Sequence, residues 1–326
     1  MNVDRITSRD EKLILLNMNI NHLAALCLLL LSYWAPTLVY AAGGESDASD
    51  SVAVVSELAL GVKSRPRWEV GVGFGHIRGY DYPASKDHNR RSIALPFFVY
   101  RTRSLRFGGG GIRAVAIENP LIKLDLSVGG SLNANSSGGG VREGMPDLDF
   151  LFEFGPQLEV RMRDEVIDGG SRLQSRFTSE IRAVFVTDFD EVDRQGLVAE
   201  AGLDINLRNV KGSGIDIGAA IEFTYANEKL QDYFYEVPAQ YATPARPEFD
   251  AKGGYLESKL KFGMGFRPHN NIVVFLGAFT GLYGGAANED SPLFDTTSQT
   301  GFAIGVVWTI AKSRTMVEVV ELGRNQ

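Results

Sequence analysis

From Gly301 to Ile310 the chain alternates: Phe302, Ile304, Val306, Trp308 and Ile310 share one face, while Gly301, Ala303, Gly305, Val307 and Thr309 share the other. That is the two-residue period of a strand. Trp68, Val70, Val72 and Phe74 oppose Glu69, Gly71, Gly73 and Gly75 in the same way. Ile215, Ile217, Ala219, Ile221 and Phe223 oppose Asp216, Gly218, Ala220 and Glu222, and Phe177, Ile181, Ala183 and Phe185 oppose Thr178, Glu180 and Arg182. Leu197, Ala199, Ala201, Leu203, Ile205 and Leu207 stand against Glu200, Asp204, Asn206 and Arg208. In each segment the charge keeps to a single face.

Further strands are read at 91–100, 105–117, 121–132, 148–162, 255–266 and 271–282. The result is about eleven strands of roughly 10 residues, the length that crosses a bilayer when tilted. Bacterial barrels close with an even number, so 51–62 is read as a twelfth strand at the start, with ten or fourteen as the neighbouring solutions. The connections 133–147, 226–250 and 283–297 then lie outside, the turn at 267–270 is periplasmic, and 78–89 becomes a long periplasmic turn. The predicted fold class is all-β, a transmembrane antiparallel up-and-down β-barrel of about 12 strands.

A soluble β-sandwich also alternates. Three features favour the barrel. The Gly and Ala rows leave room in a lumen, and an export signal precedes the strands. Aromatic residues also fall near strand ends: Trp68, Tyr100, Phe189, Tyr225, Phe266, Tyr283 and Trp308, where interfacial girdles sit. The export signal is read in residues 1–41: Leu23 to Leu31 is LAALCLLLL, Pro36 breaks the run, and Val39-Tyr40-Ala41 forms a cleavage pattern. Arg5, Arg9 and Lys12 are balanced by Asp4, Asp10 and Glu11, so translation starting at Met1 or at Met18 both fit. The barrel domain then spans 42–313, followed by a tail at 314–326.

Composition changes little in this picture. With 33 Lys+Arg against 40 Asp+Glu the net charge is −7, which argues against a nucleic-acid partner. Cys27 is the single cysteine and lies in the signal, preceded by Leu26 rather than a small residue. The exported chain therefore has neither a disulfide nor a lipidation site.

Several segments carry a family resemblance. The stretch Gly79-Tyr80-Asp81-Tyr82-Pro83-Ala84-Ser85, followed by Ala94-Leu95-Pro96-Phe97-Phe98-Val99-Tyr100, resembles the early part of MipA/OmpV outer-membrane proteins. So do Gly144-Met145-Pro146-Asp147-Leu148-Asp149 with Gly155-Pro156-Gln157-Leu158-Glu159, and Tyr233-Phe234-Tyr235-Glu236-Val237 with the run from Arg246 to Tyr255. Ser291-Pro292-Leu293, Gly301-Phe302-Ala303 and Trp308 resemble the closing segment, so the likeness spans about 66–313. Ile310 departs from the aromatic usual in the family's last strand, and 314–326 continue past its usual end. The resemblance implies residence in the bacterial outer membrane and contact with outer-membrane lipid. It also implies a non-enzymatic scaffold role, in which one member joins a murein transglycosylase to a murein synthase. Other members are linked to adhesion or to small-solute passage, so a narrow channel for small polar solutes is the alternative.

Candidate chemistry is sparse. His76, His88 and His269 remain after the signal, and their spacing is not that of metal ligands. His88 beside Ser85 and Asp87 is the best hydrolase set, against the reading of a solvated polar turn. Gly108-Gly109-Gly110-Gly111 lacks the Lys-Ser/Thr of a phosphate loop and is read as a bend. No cofactor is expected. Glu69, Lys123, Asp125, Glu153, Glu159, Arg161, Glu180, Arg182, Glu200, Asp204, Arg208, Asp216, Glu222, Lys259 and Lys261 are predicted to face the lumen. There they either line a water-filled pore or close it as ion pairs. Tyr233, Phe234, Tyr235 and Arg246 mark a candidate interaction loop, or else a loop packed onto the mouth. Periplasmic scaffolding would use 78–89, 163–172 or the terminal tail.

Overall fold

The computed structural model describes residues 62–101, 105–107, 112–114, 117–118, 121–131, 136, 140–188 and 190–320. The predicted signal, the 51–61 part of the predicted first strand, Phe189 and Gly108 to Gly111 lie outside them. In chain order the strands begin β1 (Val62–Pro66), β2 (Trp68–Tyr80), β3 (His88–Arg101), β4 (Leu105–Phe107), β5 (Ile112–Ala114) and β6 (Ile117–Glu118). They continue with β7 (Ile122–Ser131), β8 (Phe150–Ile167), β9 (Ser171–Thr187), β10 (Val192–Arg208) and β11 (Ile215–Ala226). After the helix α1 (Glu228–Tyr235) come β12 (Gly254–His269), β13 (Ile272–Leu282), β14 (Ser298–Lys312) and β15 (Met316–Val320).

One antiparallel sheet runs β5-β4-β3-β2-β14-β13-β12-β11-β10-β9-β8-β7-β6. Its two ends are consecutive in sequence, since Ala114 closes β5 and Ile117 opens β6, and β5 lies against β7. The sheet thus holds thirteen antiparallel strands among the described residues, and its two ends meet where β5 and β6 lie beside β7. β14, the last, pairs with β2, the first, with Val306 opposite Phe74 and Gly305 opposite Gly75.

The strand count therefore arises differently from the sequence reading. Strand 105–117 is not one segment: β4 and β5 fold back on each other, with Phe107 opposite Ile112 and Leu105 opposite Ala114. Val62 belongs to β1, which leaves the barrel and pairs with β15, Pro66 opposite Met316 and Val62 opposite Val320. Residues 316–320 of the predicted tail are consequently a strand.

With the register known, direction follows. β2 and β14 begin and end at one end of the barrel, the terminal end. The connections 81–87, 140–149, 227–253 and 283–297 gather at the other, the loop end. The expectation that 78–89 lies at the end opposite the long loops is corrected: Tyr82 donates to the Leu293 carbonyl at 2.8 Å and so belongs with them. The ends exchange because β1 lies outside the main sheet and 105–114 forms two strands rather than one.

Burial is inverted relative to a soluble protein. Phe74, Phe262 and Phe302 are each about half exposed, at 51, 53 and 51%, whereas Lys123, Asp125, Glu180 and Arg182 are buried. In a sandwich the Phe and Ile rows would face each other between sheets; here they cover the outside of a ring. Of the expected girdle, Trp68 stands opposite Tyr100 at the terminal end, and Tyr225 meets Tyr255 edge-on at 5.5 Å at the loop end. Tyr283 departs from the expectation, because it is buried inside the loop end with its hydroxyl on Gln299.

Candidate functional site: a charged lumen under a packed cap

Alternation places one residue in two of each strand inside, and pairing then sets those inward groups beside one another. Glu153 and Glu159 come from β8, Arg176, Glu180 and Arg182 from β9, and Glu200 and Asp204 from β10. Arg182 bonds Glu153 at 2.6 Å and Glu200 at 3.3 Å, and also meets Glu180. Below it, Arg176 joins Glu159 at 3.3 Å to Asp204 at 2.7 Å, and Arg161 reaches Glu159 at 3.4 Å. β11 and β12 continue the network through Lys261 with Glu222, Lys259 with Glu257 at 2.6 Å, and Arg267 with Asp216 at 3.2 Å. On β7, Lys123 is clasped by Asp125.

Of the other predicted inward groups, Glu69 sits opposite Lys312 at the terminal end, and Arg208 opposite Arg172 at the terminal rim. Arg176, Glu257 and Arg267 were missed. Arg176 has the parity of Glu180 and Arg182, but a strand begun at Phe177 leaves it out; β9 in fact starts at Ser171. Arg267 was assigned to a turn that lies two residues further on, because β12 runs to His269.

Along β2, β3, β13 and β14 aromatic rings lie against glycines. Phe97 lies over Gly71, Phe279 over Gly301 and Phe275 over Gly305, each ring filling the space a Cβ would take. Large rings against glycines pack this side of the lumen with apolar matter.

The loop end is closed by a small core of its own. Tyr235, Val237 and Leu293 are fully buried there, with Tyr82, Leu148, Leu230, Phe234 and Tyr283 around them. α1 enters this core because Asn227 caps it, its side chain accepting from Leu230 N, which directs Leu230, Phe234 and Tyr235 inward. The loops are then tied by side chains bonding to backbone groups. Tyr235 donates to Pro83 O at 3.0 Å, Ser291 to Tyr235 O at 2.7 Å, and Tyr233 accepts from Asp149 N at 2.7 Å. Arg246 reaches Val141 O at 2.8 Å, Glu143 O at 2.9 Å and Tyr241 O at 2.9 Å. Buried Arg142 donates to Phe234 O at 3.1 Å and lies 5.7 Å over the Tyr82 ring. The structure thus places Phe234 and Tyr235 inside the cap and gives Arg246 the work of joining two loops.

Electrostatics at the cap follow from its burial. Burial lifts the phenols of Tyr235 and Tyr283 well above their usual range and lowers the Arg142 guanidinium. Asp232, partly buried and facing Glu236, Glu228 and Asp250, is pushed up to about 6. Asp149 is raised by burial, with Asp188 and Asp147 adding to it.

The candidate hydrolytic set does not assemble. Ser85 is buried and its hydroxyl accepts from Asp87 N at 3.0 Å, while His88 directs Nδ1 to Lys86 O at 3.4 Å and Nε2 to Arg78 at 3.4 Å. His76 lies on the outer face with Ser92 at 3.0 Å. Among the described residues no group of three or more His, Cys, Asp or Glu side chains is placed to hold a metal ion.

The family pattern described as MltA-interacting protein MipA matches residues 70–310. No curated protein matches the chain. Among solved structures, the NanC porin is 9% identical with a TM-score of 0.34, over 73% of this chain and 100% of that one. Pseudomonas putida OprB is 9% identical with a TM-score of 0.31, over 79% and 96%. Outer membrane phospholipase A from Escherichia coli is 10% identical with a TM-score of 0.26, over 86% and 98%.

Proposed function

The chain belongs to the MltA-interacting protein MipA family, and on that premise we propose that it is an outer-membrane scaffold with a closed lumen, which holds murein-processing enzymes at its periplasmic face. The apolar outer belt suits hydrocarbon, where every spanning backbone group must be paired within the sheet. Bacterial barrels keep short turns in the periplasm and long loops outside, so the terminal end is periplasmic and the cap faces the exterior. Export by the signal in residues 1–41 belongs to this reading, as does lipid as the surrounding partner.

The observation that carries it is the seal at the mouth. Tyr235, at 0% exposure, sits where a channel would open. Beneath it the inward charges are engaged with one another rather than held toward a water column. With the mouth sealed and no catalytic set assembled among the described residues, the protein acts through its surfaces, and the family resemblance implies the class of partner: a murein transglycosylase and, through it, a murein synthase.

Purified protein in planar bilayers tests this directly. The scaffold reading expects a silent membrane. Discrete conductance steps would overturn it in favour of the narrow channel for small polar solutes, a reading to which the mixed charges of the lumen lend their own support.

A further inference from the structure

The outward face of the β2–β3 pair changes character along its length. From the terminal end it is apolar, with Val70, Val72 and Phe74 on β2 opposite Phe98, Pro96 and Ala94 on β3. Toward the loop end it becomes basic and polar: His76 stands opposite Ser92, Arg78 opposite Arg90, and Tyr80 opposite His88. His76, Arg78, His88, Arg90 and Ser92 are exposed, as are Phe302 and Ile304, which β14 sets beside Arg78 and His76. Arg78 lies ten residues beyond Trp68 on the same strand. At about 3.3 Å per residue and a tilt near 40° that is ~25 Å along the membrane normal, the full height of the apolar band. With Trp68 at one interface, Arg78 and Arg90 therefore stand at the other, level with the phosphates of the leaflet on the cap side.

Two arginines directly across a strand pair repel each other, and here no carboxylate separates them. Arg78 directs one guanidinium nitrogen to His88 Nε2 at 3.4 Å, and neither arginine forms an ion pair among the described residues. The nearby acids are engaged elsewhere. Asp81 accepts from Asn89 at 2.9 Å, Asp295 pairs with Lys86 at 2.9 Å, and the Asp87 carboxylate lies over Gly140. On other strands the outer face at this end is aromatic, with Phe152 stacked on Phe185 and Tyr225 against Tyr255. A chain of net −7 thus turns an unneutralised pair of guanidinium groups toward the bilayer edge. A phosphate held between them removes the repulsion and accepts from both forks. Directly below, Phe74, Phe302 and Ile304 offer apolar surface to acyl chains. An inorganic anion matches only the upper half of this surface, whereas a phosphorylated lipid matches both.

Resting on the outward placement of the cap, we infer that Arg78 and Arg90, with His88 beside them, form a site for the phosphate of an outer-leaflet glycolipid whose acyl chains lie along Phe74, Phe302 and Ile304. The test measures binding of lipopolysaccharide with a short carbohydrate chain to the detergent-purified barrel. Native protein is compared with R78Q/R90Q, with R90Q alone, which breaks no ion pair within the protein, and with R163Q/R314Q, which removes the same charge at the terminal end. Heat-modifiability on gels selects preparations that are folded. The inference expects native binding, a loss of at least tenfold in R78Q/R90Q and on enzymatic removal of the lipid phosphates, a several-fold loss in R90Q, and no change in R163Q/R314Q. Equal binding by native protein and R78Q/R90Q overturns it. So does equal affinity for phosphatidylglycerol, which assigns the arginines to any anionic lipid, or displacement by inorganic phosphate, which makes them a free-anion site. The orientation is read separately, from cleavage of 227–253 by protease added to intact cells, and the closed lumen from conductance, so each can fail without the other.

Discussion

Arg182 on β9 donates from Nε to a carboxylate oxygen of Glu153 on β8 at 2.6 Å, deep in the lumen, while its terminal nitrogens serve Glu180 and Glu200. One guanidinium thus holds carboxylates from three adjacent strands. Removing it leaves those anions buried around a gap, and breaking a buried ion pair costs roughly 3 to 5 kcal/mol. Arg182→Leu is expected to lower the temperature at which the folded gel band disappears. Arg182→Leu combined with Glu153→Gln and Glu200→Gln should recover part of the loss. A single variant as stable as the native protein would show that the cluster does not carry this side of the barrel.

The cap makes a different prediction. Arg246 ties the 227–253 loop to the 140–149 segment through carbonyls that only a planar, multiply donating group reaches together. Arg246→Lys should therefore loosen the cap almost as much as Arg246→Ala. Cleavage of intact cells by an added protease within 227–253 should quicken several-fold in both, with the barrel itself remaining resistant. Equal cleavage of native and variant protein would contradict the clamp.

Acidity should tighten the same region. Burial and the neighbouring Glu236, Glu228 and Asp250 raise Asp232 to about 6, above its unfolded value. Such a group contributes stability that is fully present below the unfolded value and is lost as pH rises through 6. Lowering pH from 7 to 5 should thus stabilise α1 by about 1 kcal/mol, the partial exposure of Asp232 screening the rest. Hydrogen exchange of the α1 amides, corrected for the intrinsic pH dependence, should slow accordingly, and Asp232→Asn should abolish the difference.

The two faces of β14 ought to respond oppositely to substitution. Ile304 points outward and is half exposed; Ile304→Lys places a charge against hydrocarbon and should cost about 2 to 4 kcal/mol near mid-depth. Gly305 points inward, where a methyl would overlap the Phe275 ring and approach Phe74 O at 2.8 Å. Gly305→Ala is expected to impair folding in detergent as well as in lipid, and Ile304→Lys in lipid alone. Folding yield in micelles against bilayers separates the two.

How much of this was legible in advance differs from one element to another. β11 was read at 215–223 and runs from Ile215 to Ala226, because Asp216, Gly218 and Glu222 against Ile217, Ile221 and Phe223 leave one orientation only. β4 and β5 were invisible as separate strands, since three-residue segments are too short to display a period. The ends of β8 and β9 were misplaced because Arg163, Asp164 and Glu165 look like a turn, although Arg172 and Asp164 bond across the strands at 2.5 Å. The motif Tyr233-Phe234-Tyr235 could be recognised as aromatic, but whether it points outward depends on three other loops that are remote in sequence.

The sequence by itself determined which side chains meet oil and which meet the interior, because a strand's alternation is a local property of the backbone and needs no partner to be read. It also determined the family. Only the tertiary structure decided that β4 and β5 pair as separate strands, that Arg182 is shared among three carboxylates, and that β1 finds β15. Those outcomes depend on which distant segments lie side by side, and pairing energy becomes specific only once the ring has closed.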